Sequence, residues 1–326
     1  MYEQVVEVQS SGCYLHQKRG LLELQHEGRK RLVDLDRIGV LLLSSPQATL
    51  STPLLSECAQ RNIPVLFCGG DYLPAAAMLP LDGHSRLQER VRLQVAVKLP
   101  KAKRLWQSIV QNKIQNQARL LQMAAGLGWH NRDCLNEAEE QELAKDLLAM
   151  SHKVLSGDSS MQEAVAARHY WPMLFGDDFR RSGPLPPNSL LNYGYTILLA
   201  CVMRAINCCG LLGAFGIQHR SSRNPYCLAS DLMEALRPFV DAFILHLYYH
   251  WGYEELNRAC KQAISQLLRL EFEYCGEQSY LFRQILRYVQ YFCATLESKE
   301  KNLPAIILTP NTVREVMELC ASIPTK

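Results

Sequence analysis

Three acidic residues and one histidine in the second half of the chain have side chains that could bind a cation. They are Glu163, His219, Asp231 and Glu234. Carboxylate oxygens with a single imidazole suit Mg²⁺ or Mn²⁺ better than they suit a structural zinc ion. Basic residues flank the same segments, at Arg168, Arg220, Arg223 and Arg237. A divalent cation among arginines indicates chemistry on a phosphodiester.

Glu163 also has a purely structural interpretation. The sequence Ser160-Met-Gln-Glu163 fits a capping box, in which the serine caps a helix and the glutamate bonds back to it. The two roles are compatible, because carboxylates are favoured at the positive end of a helix. The residue types alone therefore leave capping and metal binding both open.

Asp231 and Glu234 lie three residues apart in a segment that is predicted to be helical. At that spacing both carboxylates project from one face and could share a cation. The alternative is a solvated acidic edge in which Glu234 pairs with Arg237, and such a surface pair contributes only ~0–1 kcal/mol. His219 lies in a Gly-, Ser- and Asn-rich loop, where it is either a ligand or an ordinary surface histidine.

A second histidine pair and the standard nucleotide motifs give little support to other chemistry. His246 and His250 are four residues apart beside aromatic residues and without an acidic general base between them, so packing at a helix end is the simpler interpretation. The chain has no Walker loop, nucleophile elbow or Gly-x-Gly-x-x-Gly. Nucleotide-triphosphate hydrolysis, serine-hydrolase chemistry and dinucleotide binding are therefore unsupported.

Composition predicts a cytoplasmic protein of two domains. The 326 residues carry a net charge of only +3, so DNA binding would depend on local clusters such as residues 98–104. None of the 12 cysteines forms Cys-x-x-Cys, which favours reduced, buried thiols. The first residues do not resemble a signal peptide. The apolar stretch 193–217 contains Arg204 and several glycines, which favours a buried helix over a membrane span.

The hydrophobic pattern predicts an α+β protein, with a small N-terminal β-rich domain (1–82) followed by a larger all-α C-terminal domain (83–326). Short apolar runs predict strands near residues 5–8, 13–16, 21–25, 30–33, 38–43 and 63–68. A helix capped by Ser51 is predicted before the last of them. Apolar residues then recur every three or four positions, as in 106–121, 143–154 and 281–296. Residues 271–280 predict a small hairpin around Gly276.

Several of these segments resemble one family, the CRISPR-associated Cas1 endonucleases that act as the integrases of spacer acquisition. The resemblance covers residues 1 to about 300 and lies in the motifs Ile38-Gly-Val-Leu-Leu-Leu-Ser-Ser-Pro46, Leu79-Pro-Leu-Asp-Gly-His84, Leu191-Asn-Tyr-Gly-Tyr195, Gly216-Ile-Gln-His219 and Asn224-Pro-Tyr-Cys-Leu-Ala-Ser-Asp-Leu-Met-Glu234. The first two motifs are similar to the type II branch.

The resemblance implies a metal site and a set of partners. The family's Mn²⁺ or Mg²⁺ ligands fall on Glu163, His219 and Glu234, where the last position is often Asp in the family. Asp231 matches an acidic position that assists catalysis. The implied partners are double-stranded DNA, a second copy bound through the N-terminal domain, and Cas2, a small ferredoxin-like companion.

The implied reaction is metal-dependent transesterification, in which a DNA 3′-hydroxyl attacks a phosphodiester of the repeat and joins a new spacer. With water as the nucleophile the same site would act as a nuclease. Two alternatives stay open from the sequence. One is a structure-selective repair nuclease, and the other is a DNA-binding scaffold whose metal site has degenerated.

Overall fold

The computed structural model describes residues 4–45, 47–69, 74–80, 84–129, 137–252, 254–298 and 302–321. Its N-terminal part is built from strands and one short helix. In chain order these elements are β1 (Gln4–Val8), β2 (Tyr14–Lys18), β3 (Leu21–His26), β4 (Arg29–Asp34), β5 (Ile38–Leu43), β6 (Thr49–Leu50), α1 (Thr52–Gln60), β7 (Val65–Cys68) and β8 (Pro74–Met78).

The strands form two four-stranded sheets. One sheet has the order β4-β3-β2-β6 and is antiparallel except for its last pair. The other has the order β1-β5-β7-β8, in which the first three strands are parallel and β8 is antiparallel. Helix α1 connects the two sheets and is capped by Ser51, whose hydroxyl accepts from the Leu54 amide, as its sequence predicts.

Strand β5 lies at the centre of the fold and is buried along its whole length. Leu41 and Leu43 belong to a small core formed with the β4-β3-β2-β6 sheet and α1. Val40 and Leu42, on the opposite face, belong to the large core formed with the helices. The continuous apolar run of this strand is thus explained by its position between two cores.

The remainder of the chain is mostly helical and includes one hairpin. Its elements are α2 (Leu87–Val95), α3 (Leu99–Leu127), α4 (Glu137–His152), α5 (Gln162–Phe175), α6 (Pro186–Cys208), α7 (Cys227–Met233), α8 (Arg237–Trp251), α9 (Arg258–Ile264), β9 (Glu271–Tyr274), β10 (Glu277–Tyr280), α10 (Leu281–Glu297) and α11 (Pro310–Ala321). The predicted α+β class and the hairpin are confirmed. The predicted domain boundary between residues 82 and 83 lies outside the described residues and stays a prediction.

Helix α3 is the long axis of the helical part. Its 29 residues pack against α4, α5 and α8. Two buried asparagines of α3 bind an extended segment, since the side-chain amides of Asn112 and Asn116 both donate to the Ile306 carbonyl, over 2.7 and 2.8 Å.

Helix α6 is long and apolar enough to cross a membrane by composition alone, but 78% of its most apolar stretch is buried within the protein. It is therefore a core helix here.

Helices α6 and α8 approach each other closely at Gly194. A methyl group built at this glycine would lie 2.6 Å from Cγ1 of Val240, whereas Gly126 on α3 faces open space. Since both glycines lie within helices, the same substitution should have opposite effects at the two positions.

We expect Gly194→Ala to lower the free energy of unfolding by about 1–3 kcal/mol through overpacking. Gly126→Ala, the matched control, should raise it by roughly 0.5–1 kcal/mol because alanine restricts the unfolded chain. Urea unfolding followed by circular dichroism measures both. Equal effects of the two substitutions would contradict the close approach of the helices.

A buried carboxylate joins α5, α6 and α8. Asp241 is 1% exposed and accepts hydrogen bonds from the hydroxyls of Tyr170, at 2.9 Å, and of Tyr195. Burial raises the pKa of Asp241. The two hydroxyls and the nearby arginines lower the pKa, but burial has the larger effect and the pKa is about 6. The unfolded chain therefore loses this proton at a lower pH than the folded protein.

We expect the stability that Asp241 contributes to fall as the pH rises from the pKa of the unfolded carboxyl to the folded pKa of about 6. Relative to Asp241→Asn, wild-type protein should lose about 2–3 kcal/mol of unfolding free energy between about pH 4 and pH 7. Urea titrations of both proteins at several pH values measure the difference. A difference that does not change with pH would contradict the raised pKa.

Candidate active site

Glu163 lies in the first turn of α5, but the predicted capping box is wrong. The helix is capped by Asp158, whose carboxylate accepts from the amides of Gln162 at 2.8 Å and Glu163 at 3.1 Å. Met161 takes the capping position with a left-handed φ of 54°, so the chain turns sharply into the helix there. Glu163 is thus not used in capping, and its carboxylate contacts Lys113 at 2.6 Å.

Glu234 lies in a short 3₁₀ turn (Glu234–Leu236) between α7 and α8, and its side chain is only 7% exposed. One oxygen contacts the ammonium of Lys113 at 2.5 Å, and the other contacts Nε of Arg237 at 2.8 Å. Burial alone would raise the pKa of this carboxyl, but the charges of Lys113 and Arg237 outweigh burial and lower it. Glu234 is therefore held in its ionised form.

Lys113 comes from the middle of α3 and connects the two glutamates. Its side chain is 12% exposed, and its ammonium lies between the carboxylates of Glu163 and Glu234. Burial lowers the pKa of Lys113, but the two carboxylates have the larger combined effect and raise it. A charged ammonium thus takes the place between the two carboxylates.

His219 is held by Asp231, which is completely buried near the end of α7, three residues before Glu234. The Asp231 carboxylate accepts from the amides of Ile217 at 2.5 Å, Gln218 at 3.0 Å and His219 at 3.1 Å, and it contacts His219 Nδ1 at 2.6 Å. The hydrogen bond with Asp231 raises the pKa of His219. The imidazole is 45% exposed, so its orientation is fixed while its outer edge faces the solvent.

The loop before His219 requires glycine at position 216. A Cβ atom there would lie 2.4 Å from the carbonyl oxygen of His219 and 2.8 Å from Oδ2 of Asp231. The ring of Trp106 meets the imidazole edge-on, with centroids 6.0 Å apart. The hydrogen bonds to Asp231, the close approach at Gly216 and the ring of Trp106 thus fix the loop together.

Asp231 and Glu234 have separate partners, so the structure does not show them sharing a cation. Both oxygens of Asp231 are used by the His219 loop, and both oxygens of Glu234 by Lys113 and Arg237. The Arg237 pair foreseen as an alternative is present, but its glutamate is buried instead of solvated and its arginine is 29% exposed. Its guanidinium lies 4.5 Å from the ring centroid of Tyr195, which fixes it further.

The predicted site residues therefore form two groups in the structure. Glu163 and Glu234 meet at Lys113, while Asp231 orients His219. The charges of Glu234 and Glu163 add to the raised pKa of His219, so the groups lie within electrostatic reach of each other. Throughout the described ranges, however, no three metal-binding side chains converge into a ready-made site.

Lys113 is the site residue that the sequence interpretation missed. It is one of several polar residues in the predicted helix of residues 106–121, and it is separated from Glu163 by 50 positions. A lysine in an amphipathic helix is ordinarily a solvated residue, so only a knowledge of which helix faces which could have identified it.

A cavity of about 750 Å³ opens beside the His219 loop. Its lining includes His219, Arg220 and Arg223 together with apolar residues such as Phe215 and Phe292. Both arginines are exposed.

The second histidine pair, His246 and His250, is a packing feature, as the neighbouring aromatic residues suggest. His246 is 2% exposed, and burial lowers its pKa to about 4.

Comparison with known proteins gives consistent results along nearly the whole chain. The family model described as "CRISPR associated protein Cas1" matches residues 6–251. The "CRISPR-associated endonuclease Cas1" of Neisseria meningitidis serogroup C (strain 8013) is 32% identical over 304 residues, which are 92% of this chain and 95% of that protein.

Solved structures show the same fold at low sequence identity. A casposase bound to integration product superposes with a TM-score of 0.73 and 17% identity, over 97% of this chain and 98% of that one. A chain of a Cas6-RT-Cas1–Cas2 complex has the same TM-score and identity, over 94% of this chain and 36% of that longer chain. The family match over residues 6–251 and the 32% identity to the Neisseria protein establish that the chain belongs to the Cas1 family.

Proposed function

We propose that this protein is a divalent-metal-dependent DNA endonuclease and integrase that inserts short spacers into a CRISPR repeat array. Family membership supports the class of enzyme, since the Neisseria relative is named an endonuclease and the casposase is bound to an integration product. The arrangement of Glu163, Glu234 and Lys113 is the observation on which the metal assignment rests.

The residues at this position suit Mg²⁺ or Mn²⁺. Two carboxylates face each other across the Lys113 ammonium, which therefore stands where a cation is electrostatically favoured. His219 bonds to Asp231 through Nδ1, and its Nε2 is the atom we assign as the nitrogen ligand. Glu163, His219 and Glu234 are thus the proposed ligands, and Asp231 is a residue that positions His219.

The bound cation would polarise the scissile phosphate and stabilise charge on the attacking and leaving oxygens. The chain's own residues fix the geometry. The charge of Arg237 helps to keep Glu234 ionised in spite of its burial, and Asp231 keeps the imidazole ring in one orientation. A DNA 3′-hydroxyl as the nucleophile gives strand transfer, whereas water gives cleavage.

DNA would be held by exposed cations around the site. Arg220 and Arg223 line the cavity beside His219, and Lys98, Lys103 and Arg104 are exposed near the start of α3. Contacts of this kind make the affinity for DNA fall steeply as the salt concentration rises.

We further propose a cytoplasmic homodimer, joined through the N-terminal domains, that assembles with Cas2. The solved complex that contains a Cas1–Cas2 pair supports this partner.

We expect Glu163→Gln to lower Mn²⁺-dependent strand transfer by more than about a hundredfold, because a ligand charge is removed from the metal. DNA binding should change little. Joined and cut products of a labelled oligonucleotide on a repeat-containing duplex, separated on denaturing gels, measure both reactions. Glu142→Gln, which alters an exposed Lys–Glu pair on α4, is the matched control.

The same gels separate the alternatives. Cut strands without joined strands at any metal concentration would favour a repair nuclease. Products from wild-type protein that do not depend on a divalent cation, or full activity of Glu163→Gln, would contradict the metal assignment. A protein that binds DNA and yields no product would be a scaffold.

We expect Asp231→Asn to weaken Mn²⁺ binding by about 10–100-fold, because the loop amides and Nδ1 of His219 lose their common acceptor. Calorimetric titration with Mn²⁺ measures the affinity. Asp146→Asn, at an exposed position on α4, is the control. An unchanged affinity in folded Asp231→Asn protein would refute the positioning role.

A further inference from the structure

The ammonium of Lys113 lies where the proposed metal would have to bind. It contacts one oxygen of Glu163 at 2.6 Å and one oxygen of Glu234 at 2.5 Å, so this nitrogen bridges the two carboxylates. A divalent cation bound by both carboxylates would need the same space. Lysine and metal therefore exclude each other from this position.

The charges around the position explain why a lysine is needed there. The site contains three carboxylates (Glu163, Asp231 and Glu234) and two cationic side chains (Lys113 and Arg237), which leaves one net negative charge when His219 is neutral. Without Lys113 the two glutamates would repel each other, and Glu234 is too buried for water to compensate it. A divalent cation would reverse the balance and repel the ammonium.

We propose that Lys113 is an internal counter-ion that keeps Glu163 and Glu234 together in the metal-free protein and is displaced when a divalent cation binds. This inference rests on the metal-dependent function proposed above. Lys113 lowers the affinity for the metal, because each binding event must first break two ion pairs. Once displaced, its ammonium remains tethered to α3 beside the metal, where it adds positive charge for a phosphate of bound DNA.

Titration of the full-length, metal-free protein with Mn²⁺, followed by electron paramagnetic resonance of the free ion, tests the competition. We expect Lys113→Met to bind Mn²⁺ about tenfold more tightly than wild type, because the competing charge is gone. Its Tm without metal should be lower than that of wild type, and its Tm gain with Mn²⁺ should be larger. Lys145→Met, which breaks an exposed Lys–Glu pair, should match wild type.

The outcomes of this titration are distinct. Unchanged or weaker Mn²⁺ binding by folded Lys113→Met would overturn the inference, because a merely structural lysine changes the Tm without tightening metal binding. Failure of wild-type protein to bind Mn²⁺ at all would instead overturn the proposed metal site.

Labelling of the wild-type protein tests the displacement without a substitution. Lysines are briefly acetylated with one isotopic form of the reagent in saturating Mg²⁺ and with another form without Mg²⁺. Mass spectrometry of the peptide that contains Lys113 then compares the two labels. We expect Mg²⁺ to raise the modification of Lys113 about fivefold or more, since its side chain loses both carboxylate partners and becomes accessible to the reagent. Lys145 is the internal reference. Equal or lower reactivity of Lys113 with Mg²⁺ would overturn the inference.

Discussion

The burial of Glu234 is the constraint on which the site depends. An ionised carboxylate that is 7% exposed must have compensating charge, and here it has two cations. Lys113 links it to α3 and to Glu163 at the start of α5. Arg237 links it to the ring of Tyr195 on α6. Four helical elements are thus held in one arrangement by the need to compensate a single carboxylate.

The two acidic residues of one short segment have different tasks because they point to different partners. Both carboxylate oxygens of Asp231 bind the loop before α7, where they accept hydrogen bonds from three amides that would otherwise have no partner. Glu234, three residues later, faces the cations. One buried segment therefore fixes both the orientation of His219 and the position of a potential metal ligand.

Membership of the Cas1 family and the geometry of the site answer different questions. The family match covers most of the chain, and it indicates which class of reaction to test. The structure adds a feature that the family motifs do not contain, namely a lysine from α3 between the two glutamates. The proposed chemistry requires this ion pair to open, which links metal binding to the packing of α3 against its neighbours.

The sequence by itself determined the local elements and the candidate residues. The continuous apolar run of β5, the hydroxyl cap of α1 and the hairpin at Gly276 depend on neighbouring residues, and all three were predicted correctly. The cap of α5 was not, because a left-handed turn at Met161 brings Asp158 to the helix end in place of Ser160. Only the tertiary structure decided that Lys113 joins Glu163 and Glu234, since such contacts arise from helix packing and side-chain burial between positions 50 and 121 residues apart.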